Sequence, residues 1–231
     1  DQLSDGRLNV GVGSGYQQFE FERFGVSLEQ SKQRTLEMLD MLELGLKQPK
    51  FSYDGAYYQQ PMSAISQRAV QRPMPPMWIT SVDPAFLSRA VKSDHHVFVS
   101  GGDGGLEKLA STRALIDKVA TAQGKDPARV QVGLLRAAYA SHNKDEVESY
   151  LECARYQRRI AVSLKRRTAQ IADDYQVEEG IVEGEPTLDE MRALLPVGDI
   201  DTVIAVGPSS RRARRGTIQS RPSLRTISSP S

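Results

Sequence analysis

Apolar positions along this chain switch between a period of two and a period near 3.6 several times, the pattern of strands alternating with helices. Leu8, Val10 and Val12 alternate with small or polar residues, so residues 7–13 read as a strand. Leu36, Leu39, Leu42 and Leu46 recur near helical spacing with charged residues between them, which predicts a helix within 28–47. Residues 48–76 carry prolines, aromatics and glutamines without either period and read as an irregular insertion. Met77 to Thr80 is a short buried strand, and Asp83-Pro84 pairs an N-cap residue with a first-turn proline to open a short helix. His96 to Ser100 is the next strand, with Gly101 to Gly105 as its exit loop. A helix over about 105–123 places Leu109, Ile116 and Val119 on one face and stops at Gly124. Val130 to Ser141 reads as one further strand. Asn143 with Glu146 three residues on is close to a capping box, and opens a long helix with Val147, Leu151, Ala154, Ala161 and Leu164 inward.

This alternation predicts an α/β fold with a parallel sheet and crossover helices. Ligands of such sheets and barrels collect at the C-terminal ends of the strands. Four exits stand there: Gly13-Ser14-Gly15-Tyr16, Ser81-Val82-Asp83, Ser100-Gly101-Gly102 and Ser141-His142-Asn143. Each offers a hydroxyl or a glycine, the neutral donors and close backbone approach that a phosphorylated cofactor needs, although loops have this composition in general. The first exit is the most informative. Its glycines admit an anion close to backbone N–H groups, and Ser14 and Tyr16 add hydroxyl donors. A nucleotide-triphosphate loop is excluded because no Gly-Lys-Ser/Thr follows, and the dinucleotide fingerprint wants glycine where Tyr16 stands. A plain turn whose glycines serve backbone geometry alone stays open beside the phosphate reading.

The run Asp1 to Arg7, the strand, the Gly-x-Gly-x-Gly turn and Glu20-Phe21-Glu22-Arg23-Phe24-Gly25 together resemble the fourth-strand signature of the bacterial luciferase-like flavin-dependent monooxygenases. Phe51-Ser52-Tyr53-Asp54-Gly55-Ala56-Tyr57-Tyr58 and Arg72-Pro73-Met74-Pro75-Pro76-Met77-Trp78-Ile79 are similar to later segments of that family. So are Arg136 to Ser141, at its seventh strand, and Leu195 to Val203, at its last βα unit. The resemblance runs over roughly residues 1 to 204, with the motifs in family order.

The resemblance implies a partial (β/α)8 TIM barrel, short of three N-terminal βα units and of most of the last, with the insertion following the first visible strand. It implies reduced FMN held by Gly13, Ser14, Gly15, Tyr16, Ser81, Val82 and Ser141. The intact enzyme would then insert one oxygen atom of O2 into a small organic substrate, draw reduced FMN from a separate flavin reductase and form a homo-oligomer. An F420-dependent oxidoreductase on the same fold and a non-catalytic flavin-binding relative are the alternatives. The family's catalytic histidine falls before Asp1, so no catalytic residue is assigned. Two departures matter: Ser14 stands where the family often has an arginine on the flavin phosphate, and Gly13 stands where the luciferase alpha subunit has a reactive cysteine. The second argues against light emission.

The 231 residues are 26% charged with a formal net charge of +1, as expected of a soluble globular protein. No apolar run approaches the roughly eighteen residues of a membrane span, and no signal peptide is read. The single cysteine, Cys153, excludes an internal disulfide, and a cytoplasmic location is expected. Residues 208–231 differ in kind: they are rich in Ser, Arg and Pro, with six arginines and no acid. The expected division is therefore a barrel portion, 1–207, and a disordered tail, 208–231, that reads as frameshifted, with a basic nucleic-acid or lipid arm as the less favoured reading.

Other candidates are minor. Adjacent His95 and His96 point to opposite faces of a strand, so no metal site is expected. Arg136, mid-strand among apolar residues, needs an acid or anion partner. Cys153 reads as a packing residue and Trp78 as core. Phe51, Tyr53, Tyr57 and Tyr58 either line a substrate mouth or pack the insertion onto the barrel.

Overall fold

The structure, a computed structural model, describes residues 1–100, 105–166, 168–173 and 175–206. The exit-loop residues 101–104 and the 208–231 tail lie outside the described residues. In chain order the elements are β1 (Val10–Val12), α1 (Gln18–Arg23), α2 (Ser31–Lys47), β2 (Lys50–Asp54), β3 (Gln59–Ala64), β4 (Met77–Ile79), α3 (Pro84–Ser93), β5 (His96–Ser100) and α4 (Gly105–Ala122). There follow β6 (Val132–Leu135), β7 (Tyr139–Ala140), α5 (Lys144–Arg166), β8 (Ile171–Ala172), β9 (Tyr175–Gln176), α6 (Leu188–Leu194), β10 (Val197–Gly198) and α7 (Ile200–Val206).

Four strands form a parallel sheet in the order β1-β4-β5-β6, with Val12 opposite Ile79, Ile79 opposite Val97 and Val97 opposite Val132. The strand expected over 130–141 is divided. β6 completes this sheet against β5, whereas β7 pairs in parallel with β10. Arg136, Ala137 and Ala138 leave the ladder between them. Strands of a barrel are tilted and staggered, so successive parts of one strand meet different neighbours. The result is a parallel α/β sheet of barrel type.

One face of the sheet carries the core. Val12, Met77, Ile79, Val97 and Val99 pack with Leu39 of α2, Phe86, Leu87, Ala90 and Val91 of α3, and Ile116 and Ala120 of α4. Alternation sends Gly11, Trp78, His96, Phe98 and Gly133 to the opposite face. Trp78 thus stands apart from the core in which it was expected. Its ring meets His96 edge-on at 4.7 Å and Phe98 at 6.5 Å, and its indole N–H donates to Asn9 Oδ1 at 3.0 Å. A second cluster joins Val147 and Leu151 of α5 to Met191, Leu195 and Val197.

The insertion is not irregular throughout, because β2 and β3 form an antiparallel hairpin. It folds back along α2. The Glu37 carboxylate accepts the backbone N–H groups of Ala56, Tyr57 and Tyr58 at 3.1, 2.8 and 2.7 Å, and the Arg34 guanidinium lies 4.7 Å from the Tyr57 ring centre. Arg68 closes the other end by donating to the α2 carbonyls of Gly45 and Leu46 and to that of Gln48. Phe51 and Tyr57 therefore pack the insertion onto α2.

The long helix also departs from its expected inner face. Ala161 is exposed while Ser163 is buried and donates to Glu179 at 2.7 Å. Arg159, one turn earlier, binds both oxygens of Glu185 at 2.7 and 3.0 Å. Among the described residues no helix is long and apolar enough to cross a membrane.

Candidate functional site

At the C-terminal ends of β1 and β4 two of the four exits meet. Thr80 donates its N–H to the Val12 carbonyl at 2.9 Å, and its hydroxyl reaches the same oxygen at 3.2 Å. A β-carbon on Gly13 would lie 2.5 Å from that hydroxyl, so the approach of the two exits depends on glycine. Gly15 has φ +72° and lies against the Phe21 ring, where a β-carbon would come within 2.8 Å. Both glycines are thus demanded by geometry. Thr80 and Phe21 take up the space that side chains at these two positions would need.

The side chains around this point are neutral donors. Ser14 is half-buried and makes a long 3.4 Å contact to the Gly15 carbonyl, while Tyr16 is 50% exposed. Ser81 follows Thr80 directly and its Oγ accepts the Asp83 N–H at 3.1 Å. Val82 is exposed beside it. Asp83 caps α3 through Oδ1, which accepts the Ala85 N–H at 2.8 Å, as the sequence predicts. Its Oδ2 lies 2.9 Å from Lys32 Nζ at the start of α2. The Lys32 hydrogen bond is the main reason the Asp83 carboxyl titrates below its ordinary range. Lys32 and Thr80 escaped the sequence reading, since their partners lie on other elements.

Ser141 belongs to a different sheet. It follows β7, donates its hydroxyl to Glu146 at 2.7 Å and pairs its N–H with the Gly198 carbonyl at 2.9 Å. Glu146 also accepts from Tyr139 at 3.2 Å, whose ring stacks on Tyr150 at 4.7 Å. The Ser141 hydrogen bond, followed by that of Tyr139, holds the Glu146 carboxyl below its ordinary range. The near capping box is therefore rearranged: Asn143 accepts from Asp145, and Glu146 turns to the strand. Cys153, expected to pack, is exposed and lines a shallow groove with Tyr139, Ser149 and Tyr150.

The remaining candidates are structural. His95 is buried with Nε2 2.9 Å from Glu43, which also binds Arg89 and, at 2.5 Å, Lys47. Burial holds His95 below its usual value against the pull of Glu43. Burial would raise Glu43, but Lys47, Arg89 and His95 outweigh it and hold the carboxyl at about 2. Arg136 finds a carbonyl in place of an acid, donating to Leu194. Among the described residues no three His, Cys, Asp or Glu side chains converge as metal ligands.

A family model described as luciferase-like monooxygenase matches residues 1–206. An uncharacterised protein, y4vJ, of Sinorhizobium fredii is 43% identical over 204 residues, which are 88% of this chain and 58% of that protein. The oxygenase component of flavin-dependent trigonelline monooxygenase from Acinetobacter baylyi is 28% identical over 153 residues, 64% of this chain and 41% of the relative. The structure of an F420-dependent secondary alcohol dehydrogenase superposes with a TM-score of 0.63 at 16% identity, covering 93% of this chain and 62% of that one. The chain thus spans less than two thirds of the length of each of these proteins.

Proposed function

The chain belongs to the luciferase-like monooxygenase family, and from that membership we propose that it serves a flavin-dependent monooxygenase using reduced FMN and O2. The observation that carries the reading is the junction of the β1 and β4 exits, where the close approach of Gly13 and Thr80 brings the glycine turn beside Ser81. The donors an anionic group would meet there are neutral, namely backbone N–H groups of the turn and the hydroxyls of Ser14, Tyr16 and Ser81. Gly13, Ser14, Gly15, Tyr16, Ser81 and Val82 would hold the flavin, with Ser141 contributing from the β7 exit. When bound, reduced flavin supplies the two electrons with which one atom of O2 enters an organic substrate and the other leaves as water. The chain's own part is to bind, orient and exclude solvent.

A separate NAD(P)H-dependent flavin reductase would supply the reduced cofactor. The name of the A. baylyi relative, an oxygenase component, supports that division of labour. We place the activity in the cytoplasm and in a homo-oligomer. F420-dependent hydride transfer is the competing chemistry, favoured by the fold shared with the alcohol dehydrogenase.

The test is to mix the protein anaerobically with photoreduced FMN, and separately with reduced F420, and then admit O2. Reoxidation of FMN at a rate different from that of free flavin, with F420 unaffected, is the expected result. Binding of F420 alone transfers the assignment to hydride transfer, and no effect on either cofactor contradicts the proposal.

A further inference from the structure

Beyond Ala154 the long helix α5 stands apart from the core. Its 23 residues span about 34 Å, twice the roughly 17 Å of the longest strand in the sheet, the five-residue β5. Among the described residues, none from 155 to 187 joins either hydrophobic cluster. The contacts that hold this arm together are polar. Arg159 binds Glu185, Ser163 donates to Glu179 at 2.7 Å, and the Glu179 N–H donates to the Tyr156 hydroxyl at 3.4 Å.

The apolar groups of the arm are left outside. β8 and β9 pair Ala172 with Tyr175, and the Val177 N–H extends the ladder to the Gln170 carbonyl at 2.8 Å, so Ala172, Tyr175 and Val177 share one face of the hairpin. All three are exposed, Tyr175 by 78%, and Ile181 farther along by 83%. A two-stranded hairpin is marginal in water without a further strand or a packed neighbour. Apolar side chains gathered on one exposed segment mark an interaction surface.

Charge selects the occupant. Lys165 and Arg166 are exposed at the end of α5, and Glu178 and Glu183 are exposed on the return segment. Among the described residues none of these four takes part in an ion pair. The arm therefore carries both signs as separate patches beside one apolar face. A two-fold axis makes every contact twice, so the basic end of one arm meets the acidic segment of the other and the reverse, with the apolar faces closing between them. A partner of a single charge sign would leave one patch unmatched.

We propose that the arm formed by α5 beyond Ala154, β8, β9 and the return segment is the surface on which two copies of this chain associate. The proposal rests on the homo-oligomer reading above and names its surface; it is independent of the cofactor.

The experiment is sedimentation velocity of the full chain over a range of concentrations, with melting temperatures as a check on the fold. The wild type is expected to form a reversible dimer. Tyr175→Asp should weaken it at least about tenfold, since a charge then enters the apolar face. Lys165→Glu with Arg166→Glu should weaken it too, and adding Glu178→Lys with Glu183→Lys should restore it, because both signs have then been exchanged. If Tyr175→Asp melts early, the charge series decides alone. A dimer equally tight in all variants, or one that the fourfold exchange does not restore, overturns the assignment of the arm while leaving the homo-oligomer standing. A wild type that stays monomeric overturns the homo-oligomer reading and this proposal with it, and gives the apolar face to an unlike partner.

Discussion

A β-carbon on Gly13 would stand 2.5 Å from the Thr80 hydroxyl oxygen, because β1 and β4 pair in register immediately before these two residues. The hydroxyl is tied to the Val12 carbonyl, and a β-branched side chain has little freedom to turn away. Gly13→Ala is therefore expected to cost about 1–3 kcal/mol by overpacking. Adding Thr80→Ala should recover much of that loss, giving a coupling that denaturant titration of the four combinations reads directly. A Gly13→Ala chain with an unshifted midpoint would mean that the exits are not so closely joined.

Buried charge between α2 and α3 predicts an acid-sensitive fold. His95 and Glu43 both titrate below their ordinary values of 6.5 and 4.5 in the folded chain, so the unfolded chain takes up protons first as pH falls. Stability is full above 6.5, declines as pH drops below that value through His95, and declines again from 4.5 towards about 2 through Glu43. The Glu43 share amounts to up to about 3 kcal/mol at neutral pH. Denaturant midpoints at pH 8, 5.5 and 3.5 check this, and His95→Gln should remove the first step while Lys47 and Arg89 keep most of the second. Equal midpoints at the two higher values would refute the role of His95.

Glu37 holds the turn of the β2–β3 hairpin by three backbone N–H groups, an arrangement in which a carboxylate is worth more than a neutral acceptor. Glu37→Ala is expected to cost about 2–3 kcal/mol and to loosen the hairpin locally. Limited proteolysis should then cut within residues 54–59 sooner than in the wild type. Cleavage elsewhere, with the hairpin still resistant, would show that β2 and β3 stand without Glu37.

Local signals were legible where they decide the structure. His96 to Ser100 forms the strand that its alternation predicts, and Asp83-Pro84 opens α3 as its capping chemistry requires. The family, too, was readable from five ordered motifs. The hairpin was not, because its strands hold Gln, Ser, Asp and Pro, and the residue that fixes it, Glu37, lies on another element. The break at Arg136 escaped because the apolar run continues through Ala137 and Ala138, while the change of partner from β5 to β10 follows from barrel geometry. Ser163 replaces Ala161 on the inner face of α5 because Glu179 folds back to receive its hydroxyl. At the candidate site the glycines and serines were visible in the sequence. Lys32 was not, as 51 residues separate it from Asp83.

Hydrogen–deuterium exchange with and without excess reduced FMN, under anaerobic conditions, locates the cofactor most directly. Slowed exchange at residues 13–16 and 80–83, extending to Ser141, with the 50–64 hairpin unchanged, is the predicted result. Unchanged exchange at 13–16 and 80–83, or protection confined to the hairpin, would contradict the assignment of the flavin site to the strand exits.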